Sequence, residues 1–153
     1  MKRTILCVLA SAGLLWCADP EASHLPAGKA KDVVVTVCTE CHGVANIRRQ
    51  RLSREEWTSE VSDMVDNGAK ANDDQIALIL DYLVANFGPD SKLRVNTAPM
   101  VEFKAVLSLT AAEAGAIVDY RTAHGDFHDL AALLSVPGVP AAKIEAKKEV
   151  LEF

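Results

Sequence analysis

The residues best placed to do chemistry lie within five positions, Cys38-Thr39-Glu40-Cys41-His42. Two thiols separated by two residues, with an imidazole directly after the second, form the attachment signature of c-type haem. The spacing suits the reaction. Each thiol adds to one of two vinyl groups on the same edge of the porphyrin, and one turn of backbone presents both sulfurs to that edge. The adjacent imidazole then falls beneath the ring and ligates iron. Competing uses of the same residues are a redox Cys-x-x-Cys, half of a zinc site, or a strained disulfide. A redox pair belongs in a βαβ pattern, and none is visible. A structural zinc site needs two further Cys or His at ligand spacing, and His24, His124 and His128 are scattered.

A low-spin haem needs a second axial ligand, for which Met64, Met100, His24, His124 and His128 are available. The elements around Met64 bear on the choice. Ser53-Arg54-Glu55-Glu56 reads as a capping box opening a helix. The helix places Trp57, Val61, Met64 and Val65 on one face, expected to be buried, and Asn67-Gly68 ends it. Met at helical spacing also serves as ordinary core. A second capped helix starts at Asn72 with Gln75 at the box position. It carries an apolar stripe from Ile76 to Phe87 and stops at Gly88-Pro89. Upstream, 28–41 reads as a helix leading into the motif. Three helices around a haem, over 25–90, are the expected first domain. About 65 residues make a poor core unaided, so the chain without haem is expected to be weakly folded.

The segment from Cys38 to Pro89 resembles the small class I-type cytochrome c domains of bacterial periplasmic electron carriers and dehydrogenase cytochrome subunits. The shared features are Cys38 to Gly43, the arginines from Arg48 to Arg51, the Trp57-Thr58-x-x-Val61-x-x-Met64 helix and the Tyr82-Leu83-x-x-x-Phe87-Gly88 helix. The resemblance implies one covalent haem c on Cys38 and Cys41, with His42 and Met64 as axial ligands of the iron. It also suggests Arg48, Arg49 or Arg51 as partner of a haem propionate. A solvated charge run is the plain alternative for those arginines.

The rest of the chain sets the context. Met1-Lys2-Arg3 precedes an apolar stretch from Thr4 to Ala18, which reads as a secretory signal within 1–22. An uncleaved anchor, or a lipid on Cys17, would be the only membrane attachment. The 153 residues are 50% hydrophobic but only 5% aromatic, and Ala is abundant, which favours helices over a β-sandwich. The net charge of −5 disfavours a broadly basic nucleic-acid surface. No apolar run reaches the length of a polytopic protein's spans.

Beyond Gly88-Pro89-Asp90-Ser91 the composition changes, and 94–153 reads as a second helical domain. Thr97 is expected to cap a helix ending near Leu107, and Thr110-Ala111-Ala112-Glu113 is a third capping box. A short helix over 126–134, Val136-Pro137-Gly138-Val139-Pro140 and a last helix carrying Ile144 and Leu151 follow. This half resembles the helix-hairpin-helix module of ComEA-like competence proteins, through Asn96-Thr97-Ala98, Glu102-Phe103, Ala114, Ile117, Tyr120-Arg121, Gly125, Phe127, Leu133 and Val136 to Val139. In that family each hairpin carries Gly-hydrophobic-Gly, whose backbone N–H groups hold DNA phosphate. Here the first hairpin is Ser108-Leu109-Thr110 and the second is Gly138-Val139-Pro140, so one of four glycines remains and Pro140 lacks an N–H. Over 94–153, six Lys/Arg face eight Asp/Glu, a net −2 that neutralises phosphate poorly.

The expected protein is all-α, a cytochrome c-like domain followed by a helix-hairpin-helix domain. It is expected to be a periplasmic or otherwise exported one-electron carrier and not an enzyme. Its partners would be redox proteins, with no small-molecule substrate and with nucleic acid disfavoured; the second domain serves docking or spacing. The alternatives are a haem-bearing DNA-binding or DNA-uptake protein, and a peroxidase-like or ligand-binding haem protein whose distal side is open because Met64 does not reach iron.

Overall fold

The computed structural model describes residues 25–153, so the signal segment, Cys7, Cys17 and His24 lie outside the described residues. The described chain is helical, with eight α-helices and two short strands. Five of those helices are α1 (Lys31–Cys38), α2 (Ala45–Arg48), α3 (Arg54–Asp66), α4 (Asp73–Phe87) and α5 (Met100–Leu107). They are followed by α6 (Ala111–His124), α7 (Leu130–Leu134) and α8 (Ala141–Glu145). Strands β1 (Leu93–Arg94) and β2 (Leu151–Glu152) pair in parallel, Leu93 opposite Leu151.

Three of the helix starts follow from local chemistry. Ser53, Asn72 and Thr110 each accept a bond from the backbone N–H three residues on, while Glu56, Gln75 and Glu113 return one to the cap residue's own N–H. These reciprocal boxes satisfy donors that helix geometry leaves unpaired. Gly68, at φ 106°, takes the chain out of α3 through the left-handed region that glycine tolerates.

Other local expectations are corrected. The helix ahead of the motif covers only Lys31–Cys38, and Cys41 and His42 lie in the turn after it. A fourth helix, α2, interrupts the loop that follows. Pro99, not Thr97, stands at the start of α5, with no side-chain cap. The chain end is not one helix. It passes from α8 through a 3₁₀ turn at Lys148–Val150 into β2, because Leu151 finds a strand partner in Leu93.

Two apolar cores form. The first gathers Leu25, Val34, Val44, Ile47, Trp57, Ile79, Tyr82, Leu83 and Phe87. The Trp57 Nε1–H donates to the Phe87 carbonyl at 3.1 Å, and the Tyr82 hydroxyl to Pro26 O at 2.6 Å. These two bonds let amphipathic rings be buried without orphaned donors. The second core runs from Leu93 and Val95 through Phe103, Leu107, Ile117, Phe127 and Leu133 to Ile144. Leu93 is fully buried in it, so β1 belongs with the C-terminal helices.

Candidate haem site and hairpin module

The first core is incomplete on one side. There a cavity of about 450 Å³ opens, within the range of small-molecule and cofactor sites. Val37, Cys38, Cys41 and His42 line it from the end of α1 and the turn that follows. Trp57, Val61, Met64 and Val65 line it from α3, and Ile79 and Leu83 from α4. Asn46, Arg49, Gln50, Glu60 and Asn67 supply its polar groups. Four residues singled out in the sequence, Cys38, Cys41, His42 and Met64, thus share one largely apolar cavity.

Met64 does not sit in a packed interior as its helical spacing suggests. It is 39% exposed, and of its face only Trp57 is buried. The cause is the cavity itself. The face that periodicity assigns to a core meets open space where side chains would otherwise pack. Met100, by contrast, is 44% exposed on α5, with its sulfur close to Gly115 of α6, and it does not line the cavity. His124 and His128 are exposed on the C-terminal module; His124 stacks on Tyr120 with ring centroids 4.1 Å apart.

The His42 ring is oriented from its own backbone. Nδ1 lies 3.0 Å from the Gly43 carbonyl oxygen. A carbonyl only accepts, so this bond puts the proton on Nδ1 and leaves the Nε2 lone pair free to ligate. Burial pushes the Cys38 thiol from 9.0 up to about 11, while Cys41 is exposed. A redox Cys-x-x-Cys lowers the pKa of its nucleophile, so this direction opposes the thioredoxin-type reading. Among the described residues no group of three or more His, Cys, Asp or Glu is arranged to hold a metal ion. The cavity's lining is mostly apolar, which suits a large apolar cofactor. Its donor set of two thiols, an imidazole and a thioether on an apolar wall is the set that c-type haem uses.

The three arginines separate. Arg48 is 2% exposed and turns into the protein, where its Nε and one terminal nitrogen donate to Glu102 Oε2 at 3.1 and 2.8 Å. Arg51 donates to Glu102 Oε1 at 2.6 Å. Both are therefore engaged by α5, and Arg49 alone of the three lines the cavity. Nothing in the motif signals this division; Glu102, whose role the sequence reading missed, lies about 50 residues downstream.

In the C-terminal module α5 and α6 pack as the first hairpin. Ser108 stands between them at φ 54°, ψ 38°, a left-handed conformation where the family carries glycine. Leu109 is buried, and the Thr110 N–H donates to Glu113 Oε2 at 2.7 Å. Glu113 Oε2 also accepts from Lys143 Nζ at 2.8 Å, which ties the start of α6 to α8. The second hairpin turns through Gly138 at φ 80°, and Pro140 stands at the start of α8. At the first hairpin, a carboxylate of the chain itself occupies the helix start that would receive a phosphate.

Comparison with known proteins bears on this second half. Residues 89–152 match the sequence profile of the helix-hairpin-helix motif. A Haemophilus influenzae protein described only as uncharacterized is 38% identical over 63 residues, which cover 40% of this chain and 56% of that protein. The chain therefore spans little more than half the length of that relative. No solved structure matches. The matched segment, its mainly helical architecture and the two turns agree, and residues 89–152 are a helix-hairpin-helix module.

Proposed function

We propose that this chain is an exported c-type cytochrome with a single haem, carrying one electron at a time between redox proteins. The observation that carries the reading is the cavity in which Cys38, Cys41, His42 and Met64 meet on one apolar wall. Bound haem c would supply the chemistry of iron cycling between the ferric and ferrous states. Cys38 and Cys41 would hold it covalently. His42 is oriented by Gly43 to present Nε2, and Met64 supplies a soft sulfur from α3. The apolar side chains of α3 and α4 exclude water, and Arg49 offers a cation for a porphyrin carboxylate. An optical spectrum of the purified protein, made in cells that attach haem covalently, tests this. Haem that stays attached through denaturation, with low-spin bands in the native protein that resist carbon monoxide, supports it. A high-spin spectrum that readily binds carbon monoxide indicates the open-distal alternative, and a protein without haem overturns the reading.

A second reading, contact with a nucleic-acid backbone through the C-terminal module, is supported by the helix-hairpin-helix match at 89–152. The comparison with known proteins favours this reading, as the cavity favours the first. Against it stand Glu113 at the start of α6, Pro140 at α8 and the net charge of −2 over 94–153. Titration of labelled duplex DNA with the full chain at physiological salt tests this second reading. Saturable, salt-sensitive binding that is lost on changing Lys143, Lys147 and Lys148 would establish the second reading.

A further inference from the structure

The helix-hairpin-helix module meets the cavity's loop at a buried carboxylate, that of Glu102. It is 4% exposed, and its two oxygens are divided between two arginines of the loop that follows Cys41-His42. Oε2 takes both bonds from Arg48, the last residue of α2, and Oε1 takes the bond from Arg51. Arg48 reaches further into the module, donating to Thr97 O at 3.2 Å. Arg51 folds back on its own loop, donating to Arg48 O and Gln50 O at 3.2 and 2.7 Å, with its guanidinium 5.7 Å above the Phe87 ring. Its Nε is buried without a hydrogen-bond partner. A simple apolar contact would have avoided that cost. Glu102 holds both arginines, and between them stand Arg49 and Gln50, which line the cavity.

We propose that Glu102 is a positioning residue for the haem site, and that the helix-hairpin-helix module acts as a brace for the loop carrying His42. The consequence at His42 rests on the haem reading above; the brace itself does not. α2 is a four-residue helix with no side-chain cap at its start, so it has little stability of its own. Val44 and Ile47 seat one side of it in the first core, and Arg48 and Arg51 tie the other side to α5. Loss of the carboxylate removes the acceptor that Arg48 and Arg51 share across the interface. The favoured relief is for 43–52 to move outward, carrying the carbonyl that orients His42 with it.

The test uses the full chain and compares Glu102→Gln with Lys143→Met, which breaks the ion pair to Glu113 inside the same module but away from α2. In the full chain as purified, amide hydrogen exchange over 43–52 is expected to speed up by at least about tenfold in Glu102→Gln. Exchange over α6 should change less, and Lys143→Met should show the reverse pattern. In the haem-loaded ferric chain, the paramagnetically shifted proton resonances of the His42 ring should move in Glu102→Gln relative to wild type and stay in place in Lys143→Met. Glu102→Asp, which keeps the charge, should lie between wild type and Glu102→Gln. Where Glu102→Gln does not fold, Glu102→Asp against Lys143→Met decides by the same comparison. Unchanged exchange over 43–52, or an equal rise over every helix, overturns the brace. A local rise in exchange with unchanged His42 ring resonances overturns its consequence at His42. A wild-type chain without covalent haem defeats the haem reading, and the exchange measurement still decides the brace.

Discussion

Met64→Ala separates an iron ligand from a packing residue, because the two roles differ in which form of the protein they affect. A fully buried Met→Ala change costs about 2–5 kcal/mol. Met64 is 39% exposed and fronts a cavity, so little of that contact exists to be lost. The unloaded chain should therefore lose only about 1 kcal/mol in urea denaturation. Trp57→Ala is the comparison. Trp57 is 4% exposed and its indole N–H holds the Phe87 carbonyl, so its removal should cost about 3–5 kcal/mol. In the loaded protein the order reverses. Met64→Ala removes a thioether, so the spectrum should turn high-spin, carbon monoxide should bind, and the midpoint potential should fall, since thioether ligation favours ferrous iron. A Met64→Ala protein as destabilised as Trp57→Ala, with an unchanged spectrum, would refute the ligand assignment. So would a Met100→Ala protein that shows the spectral change instead.

Cys38→Ala combined with Cys41→Ala should abolish haem retained through denaturing electrophoresis; retention would sink the attachment assignment. Ser108→Gly should stabilise the chain by about 0.5–1 kcal/mol, since it relieves left-handed strain of about 1–2 kcal/mol at some cost in chain entropy, measurable as a raised denaturation midpoint. Burial raises Cys38 to about 11 and Tyr82 to about 12. Both groups are held protonated by the fold, so their stabilisation is complete below their unfolded values and lost as pH rises through the folded ones. The unloaded chain should thus weaken progressively from about pH 8.5 upward, and Cys38→Ala should flatten the lower part of that slope. The bonds from Lys143 and Thr110 hold the Glu113 carboxyl below its usual range, so its contribution is present above about pH 4.3 and lost on further acidification. Glu113→Gln should remove that acid-side slope in a pH series of thermal melts.

Much of this protein was decided within short stretches of chain. The three capping boxes at Ser53, Asn72 and Thr110 need only four consecutive residues each, and all three form as the sequence requires. The pairing of Cys38, Cys41 and His42 is equally local, since one turn of backbone sets it. The departure of both hairpins from Gly-hydrophobic-Gly could also be read directly, and it places Ser108 in a conformation that glycine would take more easily.

What depended on distance in the sequence needed the fold. Periodicity puts Met64 on the inward face of α3, but whether that face meets side chains or a cavity depends on how α1 and α4 close around it. The identical charges of Arg48, Arg49 and Arg51 conceal three different surroundings, because α2 turns successive side chains toward α5 or toward the cavity. Glu102 looks like any charge on an amphipathic helix until α5 packs on α2 and buries it between two arginines. The final strand is the same case. Leu151 continues a helical pattern locally, and only the approach of Leu93 gives its backbone a better partner. Local hydrogen bonds are specified by neighbouring residues. Burial, ion pairing and cavity shape are set by which surfaces meet, and those surfaces come from segments tens of residues apart.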